Sequence, residues 1–440
     1  MNGFIDVLAT QKPTSIDRTD TGAYTGKPPA AWPEPLAQEA FHGLTGDIVK
    51  TIAPHTEADP AALLFSFLLL YGNVIGRNTF YVAEADKHFT NLFVAIVGAT
   101  AKGRKGVSYG HSKRLFETLD FDWTAKRIVQ GLSSGEGLIW AVRDEQKGKR
   151  TDKQGNEEQY ILVDGVEDKR LVAGEAEFAS TIRVLGRDGN TLSAVIRKAW
   201  DDGNLNVLTK NNPATATGAH ISILAHITKD ELTRYLDKTE SANGFGNRFL
   251  WVCAKRSQCL PEGGKIGSVD FAGILKWLDG AITFGKTPYE LHRDRKAKEL
   301  WAEVYPDLSE GKPGLFGSVT SRAEAQVLRL SCIYALLDMS EVVRLEHLSA
   351  ALACWKYSED SAKFIFGEAI GDVVADEILR LLKEAGQTGL TRTDISNLFG
   401  RHKSSSQIDK ALSMLAEKGL AQYKKTMSEY NRPVEIWCKT

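Results

Sequence analysis

The run Gly98-Ala-Thr-Ala-Lys102-Gly103-Arg104-Lys105-Gly106-Val-Ser108 follows directly on the apolar stretch LFVAIV and precedes a segment that reads as a helix. A strand, a glycine-rich loop and a helix start in that order present backbone N–H groups to phosphate oxygens, so a nucleotide should sit here. The phosphate-binding consensus G-x-x-x-x-G-K-[ST] carries lysine where this chain has Arg104, with Lys105 one place on. Lys105 is therefore expected on the β/γ-phosphates and Ser108 near Mg²⁺, with Lys102 as the competing lysine. The bland alternative is a basic turn that binds nothing. Phosphoryl transfer also needs a carboxylate at the end of a second strand. The segment Arg-Leu-Val-Ala-Gly-Glu175-Ala-Glu177-Phe offers two, about 70 residues downstream. Glu175 is the expected metal partner and Glu177 the expected general base.

Three further groups are expected around the same chemistry. His226 lies near the end of the apolar run Ile221-Ser-Ile-Leu-Ala-His-Ile-Thr228, where motor ATPases place a group that senses the γ-phosphate; a structural histidine is the alternative. Arg248 precedes the apolar run Phe-Leu-Trp and reads either as an arginine finger on a neighbour's nucleotide or as a local salt bridge. Arg322 and Arg329 are seven residues apart and so share one helix face, from which they either reach phosphate or meet solvent.

The elements that must position these residues are legible as apolar runs ending at glycine or carboxylate and followed by helix-like segments. They are Leu92 to Val97, Arg170 to Ala173, Ile221 to Ala225 and Phe249 to Cys253. Strands alternating with helices predict an α/β fold with a mostly parallel sheet covered on both faces. Two apolar helices are expected between Phe41 and Ala83, the second opening at Asp59-Pro60. The run Ala61 to Gly76 is too short to span a bilayer and reads as a buried core helix. Asp144 to Gln159 has no apolar face and is expected as an exposed hairpin tip or loop. Two long amphipathic helices, about Ser321 to Asp338 and Leu345 to Phe366, suggest a helical lid. The segment from Val373 reads helix, helix, helix and two strands, the order of a winged helix-turn-helix, with a core of Ile378, Leu382, Ile395, Leu398, Leu412 and Leu415. Residues 1 to 40 hold five of the 13 prolines and read as an arm or linker.

Composition narrows the setting. Fifty-five Lys and Arg against 56 Asp and Glu leave a net charge of −1, so no global field drives the chain toward nucleic acid. From Gly386 to Thr440, however, nine basic residues face five acidic ones. DNA contact is therefore expected at Arg401, Lys403, Lys424, Lys425 and Arg432, with protein docking as the alternative use of such a module. Five cysteines without a CxxC pair, and an N-terminus without a signal-peptide pattern, predict reduced thiols in a cytoplasmic protein without membrane contact.

Several segments together resemble a bacterial, phage and plasmid family of RecA-like P-loop ATPases. They are PHTEADPAALLFSFLLLYGNVIGR, GATAKGRKG, GLSSGEGLIWAVRD at 131 to 144, GEAEFA, ATGAHISILAHIT and NGFGNRFLW. That family is similar to the RepA-type hexameric replicative helicases, and the resemblance covers roughly residues 41 to 366. It implies a RecA-like core that binds ATP and Mg, a homo-oligomeric and hexameric ring on single-stranded DNA, and a primase or replication partner. The helix with Arg322 and Arg329 also resembles the second-sensor helix of minichromosome-maintenance helicases. The expected organisation is a linker at 1–40, N-terminal helices at 41–85, an ATPase core at 86–290, a helical lid at 291–370 and a winged helix at 371–440. The expected function is an ATP-dependent DNA motor of a mobile element; the alternative is a nucleotide-switched initiator, loader or regulator that binds DNA with little ATP turnover. Arg104 in the lysine slot, and Glu in place of the usual Asp at the second motif, are departures that bear on turnover rather than on binding.

Overall fold

A stretch that is apolar on every side must be enclosed, and PAALLFSFLLLYGNV is such a stretch. The computed structural model describes residues 31–98, 105–151, 157–187, 189–207, 214–236, 243–312, 314–367, 372–427 and 433–440. In it, α1 (Gly43–Ile52) leads to α2 (Pro60–Val74), every residue of which after Pro60 is buried. Asp59 caps α2 by accepting the Ala61 N–H at 2.9 Å, and Pro60 takes the first helical position, where its missing N–H costs nothing. Asn73 is one of the polar residues buried inside this helix, and its side chain is fully engaged. Its Nδ2 donates to Leu171 O, His220 O and Ser222 Oγ, while its Oδ1 accepts from Trp123 Nε1. A buried amide satisfied on all sides fixes the helix against the sheet in one register.

The chain then forms the antiparallel pair β1 (Phe80–Ala83) and β2 (Asp86–Phe89), followed by the fully buried β3 (Phe93–Gly98). After β3 come α3 (Lys105–Leu119), α4 (Phe121–Lys126), the two-residue β4 (Ile128–Val129) and α5 (Gly135–Trp140). The charged stretch forms an exposed hairpin of β5 (Gln146–Thr151) and β6 (Glu157–Val163), pinned by the cross-strand pairs Lys149–Glu157 and Arg150–Glu158. Next are β7 (Arg170–Glu175), α6 (Phe178–Leu185) and α7 (Leu192–Asp201), then a small hairpin of β8 (Leu205–Val207) and β9 (Ala214–Ala216). Last in this region are β10 (His220–Thr228), α8 (Lys229–Tyr235) and β11 (Phe249–Ala254).

Five of these strands form one all-parallel sheet in the order β11-β3-β10-β7-β4. Both faces are covered, which explains why the strands read as continuous apolar runs. Side chains alternate across the sheet: Val94 and Ile96 join one core with α2, Leu115 and Phe116, whereas Phe93, Ala95 and Val97 join a second with Phe178, Ile182 and Leu232.

A second, four-stranded sheet crosses the expected domain boundaries. β1 pairs with β2 and with β12 (Glu290–Arg293), and β12 pairs with β13 (Val342–Val343). Residues from Leu36 to Tyr357 share the first core, so the helices at 41–85 and the segment at 291–370 are parts of one body with the sheet. That body is completed by α9 (Ala272–Lys286), α10 (Arg295–Ser309), α11 (Gly314–Thr320), α12 (Ala323–Leu337) and α13 (Leu345–Phe366). The expected lid is thereby corrected: 13 residues of α12, Ala323 and Gln326 through Leu337, are buried, which a helix that opens and closes over a site could not sustain.

The C-terminal segment has its own core. Helix α14 (Val373–Ala385), β14 (Leu390–Thr391), α15 (Arg392–Leu398), α16 (Ser405–Glu417), β15 (Ala421–Met427) and β16 (Pro433–Lys439) enclose Ile378, Leu382, Ile395, Leu412 and Leu415. Leu398, expected among them, is exposed at the end of the short α15, where the neighbouring Phe399 packs instead. The sheet order is β14-β16-β15, antiparallel throughout. Among the described residues no helix is long and apolar enough to cross a membrane, and all five cysteines are free thiols.

Candidate functional site

In an open parallel sheet, ligands bind beyond the carboxyl ends of the strands where successive connections leave to opposite faces. Here β3 runs into α3 on the α2 face, and the adjacent β10 runs into α8 on the other face. The switch point therefore lies beyond Gly98 and Thr228, which are paired across the two strands. Lys102, Gly103 and Arg104 fall outside the described residues. Lys105 opens α3, Gly106 is exposed, and Ser108 is 0% exposed one turn inside the helix.

The two carboxylates divide at the end of β7. Glu175 pairs in register with Ala225, three residues short of the β10 end, and is 5% exposed. Its Oε1 accepts the N–H groups of Gly131 (2.7 Å) and Leu132 (3.0 Å), and its Oε2 accepts the Thr181 hydroxyl (3.1 Å). Two of these contacts hold the turn that follows β4 and the third ties the carboxylate to α6, so Glu175 has a positioning role at the end of β7. Glu177, two residues beyond, is exposed at the mouth of the same edge and precedes α6. His226 is buried and level with Ile96, on the α2 face of the sheet and two residues short of the crevice. Tyr109 of α3 approaches Gly174 of β7, where a side chain in place of the glycine hydrogen would meet the ring hydroxyl at 3.6 Å. Burial pushes the Tyr109 hydroxyl up to about 12, so it stays a neutral donor.

The arginines are elsewhere. Phe249, which follows Arg248, is level with Phe93 at the start of β3, one strand length, about 17 Å, from Gly98. Arg248 is buried and bonded to Asp201 at 2.6 and 3.2 Å, which is the salt-bridge alternative. Arg329 is 1% exposed and donates to Asn91 O and Oδ1 and to Trp200 O, all at the amino ends of the strands. Its expected nucleotide role is corrected: the guanidinium is consumed by carbonyls inside the core. Arg322 is half-buried at the same edge, 3.6 Å from Asp201. None of these three can touch a nucleotide held at Gly98 of the same chain.

Two features escaped the sequence reading. The first is the turn Gly131 to Ser134, where Gly131 takes φ +90° and Ser134 caps α5 through the Gly137 N–H. Its signal was the glycine-serine pattern GLSSGEG, without any clue that Glu175 would bind it. The second is a cluster of His42, Asp338 and His347, which has metal-ligand composition. Its hydrogen bonds argue against a metal. His347 Nδ1 accepts the Arg344 N–H at 3.0 Å, which leaves the proton on Nε2, facing Asp338 at 3.2 Å. A metal on Nε2 would require that proton to move to Nδ1, against another N–H. The cluster is a hydrogen-bonded latch in which His42 also meets Asp338, at 2.7 Å.

In the C-terminal segment Arg401, Lys424 and Lys425 are exposed and Lys403 half-exposed, whereas Arg432 falls outside the described residues. Arg401 sits at φ +61° after Gly400, and Ser404 then opens α16 with a capping box closed by Gln407. No protein-family model matches the chain, and no match to a curated protein was found.

Proposed function

We propose that this chain is an ATP-driven motor that works on DNA as a ring of identical subunits, with residues 371–440 as a winged helix on duplex. The observation that carries the reading is the coincidence of two independent features. The glycine-rich, lysine-bearing segment falls at the topological switch point of a five-stranded parallel sheet, and an exposed carboxylate, Glu177, stands at the same edge.

In this reading the N–H groups at the start of α3 and the charge of Lys105 or Lys102 hold the phosphates. The exposed Glu177 accepts a proton from the attacking water, while the buried Glu175 keeps the Gly131–Leu132 turn in place beside it. Bound Mg²⁺ would neutralise phosphate charge, and Glu177 is the described carboxylate free to face its hydration shell. The order of elements from α14 to β16, with Arg401 and Lys403 leading into α16, suits insertion of that helix into a groove.

The experiment is the ATPase rate with and without single-stranded and duplex DNA, on protein whose mass in solution is measured with ATP present. Turnover stimulated by single strands in a multi-subunit species is the expected result. Stoichiometric ATP binding without turnover, together with duplex-only affinity, would replace the motor by a nucleotide-switched DNA-binding protein.

A further inference from the structure

A cavity of about 670 Å³ opens at the amino edge of the parallel sheet, the edge away from the proposed nucleotide. Arg77, Lys87, His88, Trp200, Arg322 and Arg329 line it. Three carboxylates line it as well, but two have partners: Asp201 is held by Arg248, and Asp202 accepts the Asn204 N–H at 2.7 Å. Asp86 is exposed at the rim. Arg77, Lys87, Arg322 and Arg329, with Arg248 reaching Asp201, thus outnumber the acids; Lys87 is exposed, and Arg77 and Arg322 are half-buried. Among the described residues Arg322 makes a 3.6 Å ion pair with Asp201 and lies 5.3 Å from the Trp200 ring, which leaves most of its N–H donors uncommitted.

The wall also holds polar nitrogens without a partner. Trp200 Nε1, Arg329 Nε and His88 Nδ1 are buried without a hydrogen-bond partner among the described residues. Trp200 and Arg329 are each 1% exposed and stack, with the guanidinium 3.6 Å from the indole. Arg77 is braced against the Phe89 ring at 3.6 Å and bonded to Ala219 O and Asp202 O, so its charge is fixed in place. Cations that outnumber the carboxylates of a cavity, with unmatched Trp200 and Arg329 N–H groups in its wall, suit a ligand that is all acceptor.

We propose that this cavity binds a phosphate-type oxyanion, held by Lys87 and Arg322 at its mouth over the Arg77, Arg329 and Trp200 floor. The ligand is either free in solution or carried by the nucleotide of a second copy of the chain. The site lies about 17 Å from Gly98 and stands whether or not ATP is turned over there.

His88 is the internal reporter. Burial, with the charges of Arg329 and Arg322, holds its imidazole at about 4. An anion seated beside it should raise that midpoint by roughly one pH unit or more. The measurement is a histidine-selective NMR titration of the full chain, with the resonance assigned by its absence in His88→Gln, without and with inorganic phosphate. A rise in monomeric protein identifies a free ligand. A rise seen only in the assembled protein with a bound ATP analogue identifies the neighbour's phosphate. Lys87→Ala with Arg322→Ala should weaken phosphate binding by about tenfold or more, and Asp86→Asn should tighten it, a gain that a folding defect cannot imitate. Lys105→Ala, which loses nucleotide binding, should leave the response to inorganic phosphate unchanged and remove a response that depends on the ATP analogue. No movement of His88 under either condition, or a movement equal in the double variant, overturns the proposal.

Discussion

Two glutamates two residues apart do different work because one is inside the strand and the other has left it. Glu175 gives its oxygens to Gly131, Leu132 and Thr181, whereas Glu177 meets solvent at the crevice. Glu177→Gln should therefore leave ATP bound and slow turnover by roughly 100-fold or more, as measured by filter binding beside a phosphate-release assay. Unchanged turnover would remove Glu177 from catalysis. Lys105→Ala should abolish ATP binding and Lys102→Ala weaken it less; the opposite order would move the phosphate register. A third residue-scale expectation concerns the latch at His42. The Asp338 hydrogen bond, acting against burial, raises His42 from its ordinary 6.5, and Glu346 adds to the rise. Asp338 is held well below the carboxylate range by His347 and His42, despite burial. The raised histidine contributes stability that is present below its unfolded value and lost as pH rises through its folded one. The depressed aspartate contributes stability present above its unfolded value and lost as pH falls. Both act together between the ordinary values, 3.8 for Asp338 and 6.5 for His42. The Tm difference between wild type and His42→Asn should be largest inside that window and shrink above it. A difference that grows steadily to pH 9 would show that the pair is not charged.

At the scale of elements, burial decided what could be read. Phe93–Gly98, Arg170–Glu175, His220–Thr228 and Phe249–Ala254 were each visible as apolar runs, because a parallel strand covered on both faces has no polar side to interrupt it. The two-residue β4 was not, since Ile128 and Val129 carry too short a pattern. Helices α12 and α13 were found with nearly the right ends, but α12 was assigned to a lid. Arg322 and Arg329 suggested a solvent face, whereas Arg329 is buried and its charge is met by carbonyls. Periodicity says which residues share a helix face and not which edge of a sheet that face meets, so the arginines were expected beside the phosphate when they stand a strand length away. The Glu175 turn was hidden for the same reason: it joins residues 44 positions apart across neighbouring strands. Arg329→Ala tests the structural assignment directly. It strands the acceptors of Asn91 and Trp200 and leaves a void beside the indole, so unfolding in denaturant should show a loss of about 3 kcal/mol or more. ATP affinity of the fraction that remains folded should be unchanged. A variant of wild-type stability that fails to bind ATP would return Arg329 to the nucleotide site.

Across the whole molecule, a neutral chain must confine nucleic-acid contact to local patches, and its C-terminal segment carries a basic excess, nine against five from Gly386 to Thr440. That segment carries its own core of Ile378, Leu382, Ile395, Leu412 and Leu415, so its surface can be changed without unfolding it. Removing residues 371–440 should leave ATP binding intact and weaken DNA binding. The finer test is substitution of Arg401, Lys403, Lys424 and Lys425 together by Ala, since each phosphate contact adds about 0.9 to the steepness with which log affinity falls with log salt. Arg401 and Lys403 lie on the approach to α16, and Lys424 and Lys425 on β15, where alternation sends successive side chains to opposite faces. One of that lysine pair therefore points away from any duplex the other touches. The slope should accordingly fall by roughly two to three rather than the nearly four that four contacts would cost, with a parallel loss of affinity at every DNA sequence tried. Undiminished slope and affinity in the quadruple variant would make the segment a protein-docking module and move any DNA contact to the body that holds the parallel sheet.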